Sequence, residues 1–281
     1  MSYNCRGLND LKKHYVKTLL KDCDILFIQE HWLSTGSIKA MHSEFPDHNV
    51  FAKTGMTENT LLAGRPYGGT AIIIRKTLSC TSVLLQCDSK RICPVMSDFT
   101  EFKILFLSLY MPCDSANTID DFNYKLSTVQ ALAAIHKPDY IICGGDMNTD
   151  LSRLNSLHTE CLLHFCNIDN LVCVDTVSCS IEYTYTSDVT NSVSTIDHFI
   201  ISKSLCDRIN KYTTIDDLDN MSDHLPLCLS IDLPVCDIHF NDTRHFQSKP
   251  KWNSASSNML LDYKAQLDIL LNKAANPKKH Y

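Results

Sequence analysis

Apolar residues along the first 234 positions follow two different periods. Short runs rich in β-branched and aromatic residues recur at 25–29, 69–75, 103–110, 140–144, 195–202 and 225–233, each closed by polar, Gly or Pro residues. Such runs predict strands. Longer stretches carry apolar residues every three or four positions and predict helices. Over 10–23 the stripe is Leu11, Tyr15 and Leu19, with Val16 and Leu20 one position on; over 119–134 it is Ile119, Phe122, Leu126, Val129 and Ala133. A third, shorter pattern covers 156–165. Many strands with a few long helices predict a layered α/β fold with sheets inside and helices outside. After Pro234 the pattern breaks. Residues 235–253 are polar and irregular, which predicts a linker, and 256–273 return to helical spacing through Leu260, Leu261, Lys264, Leu267 and Leu271. The expected organisation is one domain over 1–234, then a linker and C-terminal amphipathic helix over 235–281.

Composition narrows the class. With 281 residues, 44% of them hydrophobic, the chain can bury a sizeable core unaided. No apolar run approaches the ~20 residues of a membrane helix, and the N-terminus has no apolar stretch of the signal-peptide kind. An intracellular protein without a membrane partner is expected. The fourteen cysteines include no CxxC pair, and the nearest two, Cys161 and Cys166, are separated by four residues. That spacing is too loose for a zinc knuckle, so free thiols are expected rather than a metal or disulfide framework. A net charge of −6 argues against whole-domain attraction to a polyphosphate. A local basic groove is still available from Lys12, Lys13, Lys17, Arg65, Arg75, Lys76 and Arg153, although such charges more often decorate a solvated face.

The informative feature is where polar groups fall relative to the strands. Asn4 follows a short strand start, Glu30 ends 25–29, Tyr110 ends 103–110, and Asp146 and Asn148 end 140–145. Asp197 opens His198-Phe199-Ile200-Ile201, and Asp223 and His224 precede Leu225-Pro226-Leu227. Polar groups at the ends of apolar strands can converge on one rim of a packed sheet. Phosphodiester cleavage needs a cation for the phosphate, a base or orienter for water, and donors for developing charge. Glu30 is a hard oxygen ligand suited to Mg²⁺. His224 can hold a proton, with Asp197 to fix its tautomer. Asp146 can align or deprotonate water, and Asn4 and Asn148 supply neutral amides. No Gly-x-Ser-x-Gly or P-loop occurs, which favours direct attack by water over a covalent intermediate. Each member alone has a bland reading as a loop residue or a structural histidine; the ordered series is what points to a site.

That series resembles the apurinic-like endonuclease domain of LINE-type (non-LTR) retrotransposons, within the DNase-I-like endonuclease/exonuclease/phosphatase superfamily. The resemblance runs in order through Asn4-Cys5-Arg6-Gly7-Leu8-Asn9, Phe27-Ile28-Gln29-Glu30, Tyr67-Gly68-Gly69-Thr70-Ala71, Leu107-Ser108-Leu109-Tyr110-Met111-Pro112, Gly145-Asp146-Met147-Asn148-Thr149, Tyr183-Thr184-Tyr185, Ser194-Thr195-Ile196-Asp197-His198 and Ser222-Asp223-His224-Leu225-Pro226. It implies a four-layer α/β sandwich, two mostly antiparallel sheets face to face with helices outside. It also implies Mg²⁺ or Mn²⁺, DNA as partner, a monomer, and hydrolysis to a 3′-hydroxyl that can prime reverse transcription. Carried over by motif, Asn4 and Glu30 hold the metal, with Asp223 a second acidic group on that side. Tyr110 and Asn148 contact the scissile phosphate, Asp146 handles the water, and Asp197 pairs with His224. Thr184, Tyr185 and Ser194 lie toward the DNA on either side of 186–193, a hairpin that in the family enters the minor groove. Nuclear localisation follows only from that substrate.

Two departures set further expectations. The family has several more residues ahead of Asn4, completing a central strand, where here only Met1-Ser2-Tyr3 precede it. A reverse-transcriptase segment does not follow, so the chain reads as an isolated or truncated endonuclease module, or a host protein derived from one. The alternatives are a phosphatase or repair-type phosphodiesterase on the same fold, and a remnant that binds nucleic acid without cutting it.

Overall fold

The computed structural model describes residues 1–57, 66–178 and 180–233, with Ser256 and Lys264 beyond them. The chain divides into two units, Met1–Pro234 and Val235–Tyr281. The expected linker and C-terminal helix lie, but for those two residues, outside the described ones.

The first unit contains two six-stranded sheets. One is formed by β1 (Ser2–Asn4), β2 (Ile25–Gln29), β3 (His48–Lys53), β4 (Thr70–Arg75), β13 (Ile209–Thr214) and β14 (Leu227–Ile231), in the order β13-β14-β1-β2-β4-β3. The other is formed by β5 (Thr81–Leu84), β6 (Ile92–Asp98), β7 (Lys103–Tyr110), β8 (Tyr140–Asp146), β9 (Leu171–Cys173) and β12 (Asp197–Ser202), in the order β5-β6-β7-β8-β12-β9. A small hairpin pairs β10 (Tyr185–Thr186) with β11 (Val193–Ser194). Only β1–β2 and β7–β8 run parallel; the other pairs are antiparallel.

Strand alternation sorts the apolar residues into layers. Phe27, Ile72 and Ile74 from the first sheet meet Ile104, Phe106, Ile142 and Phe199 from the second, and this is the core between the sheets. The intervening residues point outward. Leu26, Ile28, Ala71 and Ile73 pack with Tyr15, Val16 and Leu19 of α1 (Asp10–Leu19) and Met41 of α2 (Thr35–Glu44). Leu105, Leu107, Leu109 and Cys143 pack with Phe122, Leu126 and Val129 of α3 (Ile119–His136) and Leu162 and Phe165 of α4 (Leu157–Ile168). The result is the expected four-layer α/β sandwich. Cysteines such as Cys93, Cys143 and Cys166 sit in these cores, and those among the described residues are free thiols.

Tyr15, Val16, Leu19 and Leu20 of the stripe expected on the first helix are buried, and only its first member departs. Leu11 is 65% exposed, and Lys12 turns inward instead. Its Nζ donates to the carbonyls of Cys5 and Arg6, both at 2.8 Å, so the helix anchors the loop after β1 by a charge-assisted bond rather than an apolar contact. Short as the segment is, a central strand does form: Ser2 and Tyr3, with Asn4 itself, pair with Phe27, Ile28 and Gln29.

Register then sets the site. Parallel pairing brings the C-terminal ends of β1 and β2 to one rim, and those of β7 and β8 likewise, with Tyr110 opposite Asp146. Antiparallel β12 begins at the same level, with Asp197 opposite Asp146. Beneath this rim the Gln29 amide donates to Ser108 Oγ at 3.0 Å, and Ser108 Oγ donates to the Ile28 carbonyl at 2.9 Å. These buried bonds tie the sheets together and leave the chemistry-bearing groups above them.

Candidate active site

A cleft of about 260 Å³ opens on that rim, lined among others by Asn4, Glu30, Tyr110, Asp146, Asn148, Tyr185, Asp223 and His224. Of the eleven residues expected at the site from sequence, these eight are brought together; Asp197, Thr184 and Ser194 are placed behind or beside them.

Asp146 is the centre. It is buried, and both carboxylate oxygens are engaged: Asn4 Nδ2 donates at 2.9 Å and the Asn148 backbone N–H at 2.8 Å. Asn148 presents that N–H because it adopts a left-handed conformation at φ 51°, tolerated by its short polar side chain. Its own amide donates to the Met111 carbonyl at 2.9 Å, fixing the loop 146–149 against the end of β7. Burial and the nearby Asp197 carboxylate push Asp146 up to about 7, partly offset by His224 and the two donors. A carboxyl there changes protonation in the neutral range, as a water-activating base requires.

His224 lies across the cleft. Its Nδ1–H donates to Asp197 Oδ2 at 2.8 Å, and its Nε2 sits 3.4 Å from Asn4 Nδ2 and 4.0 Å from Asp146 Oδ2. Burial opposes the charged ring, but Asp197 outweighs it and raises His224 to about 9. The chain around His224 is held by long-range bonds. Ser222 Oγ donates to the Asn4 carbonyl, and Asn220, bonded by Tyr3 OH, donates its amide to the His224 carbonyl. Asp197 is held in turn through its backbone N–H, which donates to Thr184 Oγ1 at 3.0 Å.

That bond corrects the placement expected for Thr184. The residue is fully buried, and its hydroxyl accepts from the N–H groups of both Ile196 and Asp197 instead of facing a substrate. Tyr185 does reach the cleft, with its ring 4.8 Å from the His224 ring. Ser194 lies on the far strand of the hairpin, its carbonyl accepting from Thr184 N–H.

Glu30 stands at the end of β2 at φ 55°, and the Trp32 indole donates to its Oε2 at 3.3 Å. Gly7 allows this contact: at φ 91°, an added Cβ would lie 2.4 Å from the Trp32 ring. Tyr110 is held well above its ordinary value, first by burial and then by Glu30, so its hydroxyl remains a donor. Arg91 stacks on that ring at 4.7 Å and bonds the Tyr110 and Met111 carbonyls. Neither Arg91 nor Arg6 was singled out from sequence. Arg6 pairs with Asp223 and, at 3.1 Å, with Asp188 of the hairpin. Its place in the Asn4–Asn9 motif was the available signal, but both partners lie more than 180 residues away.

The donor set suits a hard divalent cation. Three carboxylates, Glu30, Asp146 and Asp223, line one cleft, with Arg6 the only Lys or Arg among its lining residues. Asp146, Asp197 and His224 also offer ligand atoms within 4.8 Å of one another. There, however, His224 Nδ1 and Asp197 Oδ2 already satisfy each other, which leaves Glu30, Asp223 and the Asn4 side chain as the better-suited oxygen donors.

Comparison with known proteins follows this geometry. Residues 1–224 match the profile of the Endonuclease/Exonuclease/phosphatase family. No curated protein sequence matches the chain. Among solved structures, the AP endonuclease LMAP from Leishmania major aligns with a TM-score of 0.66 at 14% identity, over 83% of this chain and 87% of that one. The 3′ phosphatase NExo from Neisseria, bound to product DNA hairpin, aligns at 0.63 and 16%, over 83% and 98%. The endonuclease domain of TRAS1, a telomere-specific non-LTR retrotransposon, aligns at 0.61 and 16%, over 83% and 97%. At these identities the likeness is one of fold. No helix among the described residues is long and apolar enough to cross a membrane.

Proposed function

The chain belongs to the endonuclease/exonuclease/phosphatase family, and from that premise we propose that it is a metal-dependent DNA endonuclease that nicks by attack of water on a phosphodiester. The observation that carries this reading is the joining of Asp146, Asn4 and the His224–Asp197 pair in one cleft with Glu30, Tyr110 and Asp223.

In this reading Asp146 takes a proton from the attacking water, oriented by Asn4 and Asn148. The water oxygen bonds to phosphorus as the bond to the 3′ oxygen breaks, and the departing 3′ oxygen takes a proton from solvent, leaving a 3′-hydroxyl and a 5′-phosphate. His224, kept protonated by Asp197, faces the charge developing on the phosphate, and the Tyr110 hydroxyl, lining the same cleft, is a second donor to it. Glu30, Asp223 and Asn4 would hold Mg²⁺, which would supply neutralisation of the phosphate charge. Tyr185, beside His224 on the hairpin, lies where a duplex would press, and the hairpin is tied down by Arg6 and Asp188. The nicked 3′-hydroxyl is the end a reverse transcriptase extends, and the likeness to the TRAS1 domain supports that setting. DNA, rather than a lipid or inositol phosphate, is the substrate supported by the nuclease neighbours.

The test is conversion of supercoiled plasmid to open circle with Mg²⁺, beside EDTA and the Asp146→Ala variant. Nicking should need the metal and fall ~10²–10³-fold or more without Asp146, as for loss of other charge-stabilising groups. Equal nicking by the variant would remove Asp146 from the mechanism; no nicking by folded wild-type protein would remove the nuclease reading.

A further inference from the structure

His198 is fully buried one residue after Asp197, on the opposite face of β12. Its Nδ1 lies 2.7 Å from Asp175 Oδ2, and its Nε2 lies 2.9 Å from the Thr149 carbonyl. Both partners are acceptors, so the ring donates from both nitrogens and is an imidazolium. Asp175, on the 3-10 turn Val174–Thr176, also accepts from Tyr212 OH at 2.9 Å and Cys173 Sγ at 3.5 Å. The titratable groups facing the ring are therefore Cys173, Asp175 and Tyr212, with Asp150 nearby; burial keeps the Cys173 thiol and the Tyr212 phenol protonated, which leaves Asp175 as the counter-charge. Burial opposes the charge, yet Cys173 and Asp175 hold the ring well above its ordinary value.

We propose that His198 is a positioning residue: through its bond to the Thr149 carbonyl it fixes the loop 146–149, and with it Asp146 and Asn148, from the side opposite the cleft. The role in turnover rests on the nuclease reading above; the anchoring does not. The loop is also tied by the Met147 N–H to the Ile196 carbonyl and the Met111 N–H to the Asp146 carbonyl, both at 2.8 Å, by the Asn148 amide to Met111, by Asn4 to the Asp146 carboxylate, and by the Thr149 and Thr159 hydroxyls at 3.1 Å; none of these donors carries a charge. Past Thr149, Asp150 accepts from the Thr195 N–H at 3.1 Å. The Thr149 carbonyl is thus the point where a charged donor meets the loop backbone, and charge-assisted bonds of this kind are about twice as strong as neutral ones. Tyr212 belongs to the first sheet and His198 to the second, so the network couples the packing of both sheets to the loop.

Two substitutions separate the ring nitrogens. Glutamine places its amide nitrogen near Nε2 and can still donate to Thr149; asparagine places its own near Nδ1 and can still donate to Asp175. Hydrogen–deuterium exchange over 146–152 reads the anchoring without substrate: it should rise by at least about tenfold in His198→Asn and stay near wild type in His198→Gln. In the nicking assay, at a temperature where all three proteins are folded, kcat should fall about tenfold or more in His198→Asn at nearly unchanged KM, and recover in His198→Gln, because small displacements of a catalytic group are costly. A residue serving only the Asp175 ion pair would give the reverse order, and that result, or loop exchange equal in all three proteins, overturns the proposal. Nitrogen-15 NMR of the wild-type histidines keeps the idea open to refutation even if a variant fails to fold, since a His198 ring without a proton on Nε2 would end it. Wild-type protein that shows the expected exchange pattern but nicks nothing would instead sink the nuclease reading and leave the anchoring intact.

Discussion

Asp146 is buried beside a second carboxylate, and its two oxygens are engaged by only two neutral donors. The His224 ring, 4.0 Å away, offsets this only in part, so the folded chain favours the protonated carboxyl. The folded-state value near 7 lies above the ordinary 3.8, so the folded chain retains a proton that the unfolded chain has released. Stability from this group is therefore full below about 4 and is lost as pH rises through about 7. His224, raised to about 9, loses its contribution only at higher pH. In metal-free protein, Asp146→Asn should gain melting temperature relative to wild type between pH 5 and 7.5. The widening should reach at least about 2–4 °C, the response of a domain this size to 1 kcal/mol. Thermal melts in EDTA check it, and a pH-independent difference would show that the folded carboxylate is not raised. Residue types and strand-end positions made Asp146, Asp197 and His224 legible in sequence. Thr184 was legible as a motif member but not as a buried cap, because its direction depends on where the chain returns at Ile196. Arg6, Arg91 and His198 were missed for a related reason: their partners are set by the packing of distant segments, and a surface charge or core histidine is the bland reading for each.

Elements with a clean period were read close to their observed bounds. The second long helix, expected over 119–134, is Ile119–His136, and the strand expected over 69–75 is Thr70–Arg75. Those missed lack the signal. Strand β6 contains Pro94, which argues against a strand until the sheet shows that β5, pairing through Leu84 and Val95, has already ended there. Helix α2 buries only Met41 along its length, too little to mark a stripe. Strand β3 is a half-exposed edge. The closest fit between elements is at the end of β8, where Gly145 faces Leu109: a Cβ there would lie 2.0 Å from the Leu109 carbonyl oxygen. That atom is backbone in the parallel β7–β8 ladder and cannot rotate away, so the strands themselves must part, one residue before Tyr110 meets Asp146. Gly145→Ala should cost at least the ~1–3 kcal/mol typical of overpacking. It should also lower nicking more than its loss of stability explains. Denaturant unfolding alongside kcat at a temperature where the variant is folded would check both, and a variant with full activity would show that the Tyr110–Asp146 spacing does not matter.

At the scale of the molecule, charge and substrate disagree unless something intervenes. The chain carries −6, and the cleft places Glu30, Asp146 and Asp223 around one guanidinium, already paired with Asp223 and Asp188, and the His224 ring, already paired with Asp197. A phosphate entering such a cleft meets repulsion of a few kcal/mol per close charge pair at the effective dielectric of a protein surface, about 4 kcal/mol at 4 Å. Binding to DNA should therefore depend on a divalent cation before any bond is broken. For wild-type protein and a fluorescent duplex with phosphorothioate linkages that resist cutting, Mg²⁺ should tighten binding by at least about tenfold over EDTA, or roughly 1.4 kcal/mol. Arg6 is the only Lys or Arg lining the cleft, so if recognition is confined there the salt dependence should be shallow. At about −0.9 per phosphate neutralised, a log–log slope of about −3 or flatter is expected. Equal binding in EDTA, or a steep slope, would mean that a basic surface outside the cleft carries the affinity, as the lysines and arginines noted in the sequence would allow. Metal-dependent binding with a shallow slope would instead locate recognition in the same carboxylates that perform the chemistry, and would explain how an acidic chain engages a polyanion.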